Sequence, residues 1–135
     1  MATSNHIPFM VLAGIMCLVS CVNMQRTDLY FGTNIPDGGQ VTAMQWKNFS
    51  DSVITKYFPE GYTETDAVGK WLDTDNKKTI LENTKVVTFI GRRSTQRNIL
   101  LNRLIQSYIH RFRQQSVLRV DSKIKYQFIT KKSIG

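Results

Sequence analysis

Cysteine is scarce in this chain. There are two, Cys17 and Cys21, and both fall within the first 21 residues. Small disulfide scaffolds spread several bridges through a core they cannot otherwise hold. The body of the chain, after Cys21, has no thiol with which to do so. Histidine is as rare, with His6 near the start and His110 alone in the rest. A structural zinc site takes about four N or S ligands, so no metal site is expected. Asp73 and Asp75 in "DTDNKK" lack the remainder of a calcium loop and sit beside two lysines, which reads as a turn. Charge is missing from Met1 to Ser20, and acid is missing between Arg92 and Arg119. Long apolar runs are missing too. Ile7 to Val19 is apolar, broken in character only by Pro8 and Gly14, and falls short of the ~20 residues that span a bilayer.

What remains suits one globular domain with one core: 135 residues, 41% hydrophobic and 21% charged. The net charge of +8 belongs entirely to the chain after Ser20. It favours anionic partners, whether nucleic acid, lipid headgroups, acidic polysaccharide or an acidic protein.

The apolar run has the length of a signal-peptide core, ~7–15 residues, and the polar "NMQRTD" follows it. Small Ser20 precedes Cys21. The stretch "LVSC", Leu18, Val19, Ser20 and Cys21, resembles the lipobox of bacterial lipoproteins. The resemblance implies recognition of Leu18, Val19 and Ser20 by a signal peptidase and diacylglycerol attachment at Cys21. Acylation of the new amino terminus would follow, and two or more chains give stable anchoring where one does not. Cys17 then leaves with the leader, and neither an intramolecular disulfide nor a thiol metal site remains. The alternatives are an uncleaved short anchor or a plain buried thiol pair. Val22, rather than Asp, after the cysteine implies the outer membrane, facing the periplasm, with the inner membrane or the cell surface as alternatives.

Beyond the tether, "TDLYFGTNI" alternates as a strand and "PDGG" ends it. Thr42 and Gln45 form a capping box, and Trp46, Phe49, Val53 and Tyr57 recur at helical spacing up to Pro59. "YTETDAVGKWL" is a second strand, "DTDNKK" a turn and "TKVVTFIG" a buried strand. Ser94 or Thr95 caps a second helix with Leu101, Leu104, Ile105, Tyr108 and Phe112 as its apolar stripe. "SVLRV" is a fourth strand, and Ile124, Tyr126 and Phe128 alternate with Lys123, Lys125 and Gln127 as its extension or as a fifth, edge strand. The order β-α-β-β-α-β is that of an α+β, ferredoxin-like split βαβ fold: an antiparallel sheet with two helices on one face. The domain organisation read from these pieces is a leader over 1–20, a lipidated tether over 21–26, one domain over 27–129 and a basic tail over 130–135.

The pieces "RTDLYFG", "PDGG", "FPEG", "GKW", "TKVV" and "QQSVLRVDS", in that order, resemble a family of small bacterial secreted proteins and lipoproteins, domain of unknown function family 3574. The likeness runs from Arg26 to about Ser122. It implies export and the extent of the fold, and no catalytic residue.

Catalytic signatures are lacking. No G-x-S-x-G occurs, "DGG" at Asp37 to Gly39 lacks phosphate-loop spacing, and Glu60, Glu64 and Asp66 read as surface acids, with Glu64 and Asp66 on one strand face. Trp46 and Trp71 read as core. The main charge feature is the run Arg92, Arg93, Arg97, Arg103, Arg111 and Arg113, taken either as a solvated face or as a contact for an anionic partner. Export removes cytoplasmic nucleic acid from reach. The leading expectation is a lipid-anchored, non-enzymatic interaction module that docks on other envelope proteins or a multiprotein assembly such as a secretion system. The alternatives are a small-molecule binder or small enzyme using the open sheet face, often as a homodimer, and a binder of anionic membrane surface. No cofactor is expected beyond the acyl modification.

Overall fold

The computed structural model describes residues 23–131. The elements run β1 (Met24–Gly32), α1 (Ala43–Phe49, continued by a π-helical stretch Ser50–Ile54 and a last turn Thr55–Tyr57), β2 (Thr63–Asp73), β3 (Lys78–Arg92), α2 (Thr95–Phe112) and β4 (Leu118–Lys123). The fold is α+β. Its four strands form one sheet in the order β2-β3-β1-β4, and every neighbouring pair is antiparallel.

The helix starts follow from local chemistry. Thr42 accepts a bond from the Gln45 amide while the Gln45 side chain returns one to the Thr42 amide, a closed capping box. Ser94, in extended backbone, accepts from the Arg97 amide at 3.0 Å. α2 ends at Arg113, which takes the left-handed conformation (φ 51°) with its amide on the Ile109 carbonyl.

Leu29 and Phe31 of β1 and Val87 and Phe89 of β3 share one face, and both helices bury their stripes against it. Phe31 is the hub. Its ring lies 5.4 Å from Trp46, 6.3 Å from Phe49 and 4.7 Å from Tyr108. Burial of each such ring stabilises by about 1.5–3 kcal/mol. The Tyr108 hydroxyl donates to the Gly32 carbonyl at 2.8 Å, which ties α2 to the end of β1.

Several expectations need correction. The stripe Trp46, Phe49, Val53, Tyr57 holds only at its start: Ile54 and Phe58 are the fully buried residues, and Val53 and Tyr57 are half-buried. The cause is the π-turn, in which the Thr55 amide bonds the Ser50 carbonyl five residues back. One extra residue per turn slips the buried face by one position. The tether reading of Met24, Gln25 and Arg26 fails because all three belong to β1. The extension through Ile124, Tyr126 and Phe128 fails because β4 ends at Lys123. β1, its only neighbour, starts at Met24, so after one last bond from the Ile124 amide to the Met24 carbonyl there is no strand left to pair. β3 is longer than "TKVVTFIG", since with β2 it continues past the end of β1 as a two-stranded arm out to the Asp73–Lys78 pair. Trp71 stands on that arm and is 47% exposed, so it is not core.

Candidate functional site

The β4–β1–β3 pairing brings distant segments together at one corner. Arg93 continues the ladder, donating its amide to the Asn23 carbonyl at 2.9 Å. On the other side of β1, the antiparallel register sets Lys123 opposite Gln25, Asp121 opposite Thr27 and Arg119 opposite Leu29. Alternation puts these β4 residues on the face that carries the helices. α2 begins just above them. Between its first turn, the start of β1 and the end of β4 opens a cleft of about 740 Å³. Arg93, Arg97, Arg119 and Lys123 line it, against one carboxylate, Asp121.

Arg97 is the unusual member, with a side chain only 9% exposed. Its guanidinium lies over Gly91. A Cβ there would come within 2.5 Å of Nη1, so glycine makes the seat. Cζ stands 5.5 Å from the Phe58 ring, and Nη1 is 3.6 Å from Glu60 Oε1, an ion pair too long for a hydrogen bond. Nε and Nη2 are buried and have no partner among the described residues. Burial pulls the guanidinium below its ordinary pKa, with Glu60 opposing that and the Arg119 charge adding to it. An arginine still remains protonated at any physiological pH.

Its neighbours are occupied. Arg119 donates from Nη1 to Asn102 Oδ1 at 3.1 Å, and its Nε lies 2.9 Å from Asp121 Oδ2 in an ion pair not aligned as a hydrogen bond. Asp121 also accepts from Thr27 Oγ1 at 2.6 Å. Burial pushes its carboxyl up, but the Thr27 hydrogen bond and the Arg119 charge beside it outweigh that and hold it below the usual carboxylate range. Across Arg97 from the cleft lies a second hollow of about 580 Å³, lined by Tyr57, Phe58, Ile90, Leu100 and Tyr126, with Glu60 at its side.

The arginine run does not form one patch. Arg93 and Arg97 line the cleft, whereas Arg92 lines only the second hollow. Arg103 is exposed on the middle of α2 beside Tyr57 and Gln106. Arg111 covers the Phe49 and Phe112 rings, and Arg113 pairs with Asp37 at 3.4 Å. At ~1.5 Å per residue, α2 separates its two ends by ~25 Å. Arg119, Lys123, Asn23 and Glu60 were missed as site residues. Only strand pairing brings the first three to the first turn of α2, and no local spacing signals that.

Other candidates resolve as structure. Glu64 accepts from Trp46 Nε1 at 3.0 Å and from the Ser50 hydroxyl, pinning β2 to α1, while Asp66 pairs with Lys85. His110 is exposed on α2. Among the described residues no group of three or more His, Cys, Asp and Glu side chains could hold a metal, and no helix is long and apolar enough to cross a membrane. Leu18, Val19, Ser20 and Cys21 lie outside the described residues.

The sequence profile of one family, described as "Protein of unknown function (DUF3574)", matches residues 26–128. The chain belongs to this family. No curated protein matches this DUF3574 chain. Among solved structures it is similar to a phage SAM lyase in complex with S-methyl-5'-thioadenosine, with a TM-score of 0.57 and 14% identity over 75% of this chain and 81% of that one. The phage SAM lyase in its apo state is similar at a TM-score of 0.55 and 15% identity, over 73% and 79% of the two chains. At such identity the likeness shows that this DUF3574 domain shares the lyase fold, and carries no activity with it.

Proposed function

We propose that this DUF3574 protein is a lipid-anchored, non-enzymatic module of the cell envelope that rests its basic corner on an anionic membrane surface. One observation carries the reading: Asn23, where the described chain starts, lines the same cleft as Arg93, Arg97, Arg119 and Lys123. Cys21 is two residues earlier in the sequence. An acyl chain on Cys21 would hold these cations at headgroup level, and outer-membrane attachment facing the periplasm accords with Val22.

Two measurements test it. Mass spectrometry of the native protein is expected to find acylated Cys21 and no residue before it. An intact Met1 would end the lipoprotein part. The full acylated chain is then reconstituted into vesicles of phosphatidylglycerol or phosphatidylcholine, and amide exchange is followed over Arg93–Asn98. Added protection in the anionic vesicles, lost at high salt, is expected. Equal exchange in both lipids would overturn the surface contact.

A second reading, docking on another envelope protein, draws on the β2–β3 arm. Val68, Leu72 and Leu81 share one of its faces and all are exposed, with β2 an open sheet edge beside them. A partner strand added along β2 would extend the sheet beside that face, and crosslinking from position 72 in intact cells tests it. Catalysis or small-molecule binding at the open sheet face rests on the likeness to the phage lyase alone. For the fold itself, the element order and the sheet order β2-β3-β1-β4 support the ferredoxin-like split βαβ arrangement, with β1 and β2 parallel about an intervening β3.

A further inference from the structure

We propose that the first turn of α2 and the side chain of Arg97 form a seat for the phosphate group of a phosphate ester. The proposal gives the ligand chemistry of the basic corner, and so rests in part on the surface reading above.

Two independent features meet where Ser94, Thr95 and Arg97 line the cleft. The first is the helix start. Of the four amides that an α-helix leaves without an internal acceptor, here those of Ser94, Thr95, Gln96 and Arg97, the Ser94 hydroxyl takes that of Arg97 at 3.0 Å. Among the described residues the Ser94, Thr95 and Gln96 amides remain, at the positive end of an 18-residue helix, and Ser94 and Thr95 line the cleft. The second feature is Arg97 itself. Its unpartnered atoms are Nε and Nη2, which are not an arbitrary pair. They form one edge of the planar guanidinium and present two parallel N–H groups, the geometry that a phosphate or carboxylate accepts bidentately. The third nitrogen, Nη1, is the one turned to Glu60 and packed over Gly91.

Charge and size choose between oxyanions. Arg93 and Lys123 line the cleft with no side-chain partner among the described residues, while Arg119 and Asp121 largely answer each other. Two spare cations beside the fork suit a phosphate better than a single-charged carboxylate. A cleft of about 740 Å³ also exceeds what a bare phosphate fills and lies in the range of organic-ligand sites. The phosphate therefore belongs to an ester, soluble or carried by a lipid. Glu60 is the built-in opponent: a carboxylate 3.6 Å from Nη1 repels an anion arriving at the opposite edge.

The test uses the full chain in neutral detergent. Inorganic phosphate is titrated against chloride at matched ionic strength and followed by phosphorus NMR and by thermal stability. Saturable binding is expected. Arg97→Gln weakens it at least about tenfold, the size of a charge-assisted pair of bonds. Arg97→Lys, which keeps the charge and loses the fork, weakens it as well. Gly91→Ala, which displaces the guanidinium without touching its charge, covers the case in which Arg97→Gln does not fold. Glu60→Gln tightens binding about three- to tenfold. Arg103→Gln, far along α2, leaves it unchanged. Absence of a phosphate effect beyond ionic strength, or equal loss in Arg97→Gln and Arg103→Gln, overturns the seat. Binding by Arg97→Lys equal to that of the parent overturns the bidentate geometry.

Glycerol phosphate in solution and phosphatidylglycerol vesicles then separate the sources. Phosphate binding lost in Arg97→Gln, with lipid-dependent amide protection unchanged, upholds the seat and assigns it a soluble ester, while the membrane contact stands apart. Lipid-dependent protection without any phosphate binding upholds the surface reading and removes the seat.

Discussion

Arg97→Met is expected to stabilise the ligand-free protein. The guanidinium is nine-tenths buried, and its Nε and Nη2 have no partner among the described residues. Each unmet buried donor costs about 1–3 kcal/mol, and both go with the substitution. The losses are smaller. The Glu60 pair is long and its acid is half-exposed, which limits it to about 0–1 kcal/mol. The contact with the Phe58 ring, at 5.5 Å, contributes about 0.5–2 kcal/mol, and a thioether in the same place recovers about 0.3–1.5 kcal/mol. Methionine also keeps the apolar stem. At the middle of these ranges the balance is a gain of about 3 kcal/mol, in line with other buried charges replaced by apolar residues. Urea unfolding at neutral pH in chloride, followed by Trp46 fluorescence, reads it as a higher midpoint at unchanged slope. In high phosphate the gap narrows, since only the parent protein gains from the ligand. A loss of more than about 1 kcal/mol in chloride would refute the reasoning, because Arg97 would then be a satisfied structural residue. A binding residue that costs stability when empty is a familiar trade between function and folding.

Phe31→Ala removes the ring on which Trp46, Phe49 and Tyr108 converge, and denaturant titration is expected to show a loss of about 3–5 kcal/mol. Tyr108→Phe deletes the bond to the Gly32 carbonyl and costs about 1–2 kcal/mol at neutral pH. Burial, and the Glu82 charge after it, raise the Tyr108 hydroxyl above its usual 10.0, so the folded state keeps a proton that the unfolded chain releases. That stability is complete below pH 10 and falls as pH rises beyond it; Tyr108→Phe therefore flattens the alkaline limb of a midpoint-against-pH curve. Arg113→Gly relieves a left-handed residue whose partner Asp37 is well exposed, and thermal unfolding is expected to show a gain of about 0.5–1 kcal/mol.

Much of the fold was legible from short-range chemistry. The capping box at Thr42 and the cap at Ser94 are patterns of three or four residues, and each marks its helix start within the chain that makes it. The stripe Leu101, Leu104, Ile105, Tyr108, Phe112 keeps a regular helical period to the end of α2, with Ile105 half-buried and the other four buried. The stripe on α1 does not, because the π-turn at Ser50 breaks the period on which the reading depends. Ser50 there turns its hydroxyl to Glu64, and the Tyr62 hydroxyl reaches the Ser50 carbonyl, contacts with residues 12 and 14 positions away that no helical pattern contains.

The candidate site divides along the same line. The arginine run was visible as a charge pattern, because acid is simply missing from that stretch. Which of its members act together was not. Helix geometry carries Arg111 and Arg113 to the far end of α2, and strand pairing brings Arg119 and Lys123 up to Arg93 and Arg97 in their place. Burial of Arg97 depends on Gly91, Phe58 and Glu60, which arrive from β3 and from the turn after α1. Composition and periodicity act through neighbours along the chain, so they set the elements and the charge. The fork left open on Arg97 exists only once three separate segments close around it. Long-range packing alone decides which polar groups find partners and which are left waiting for one.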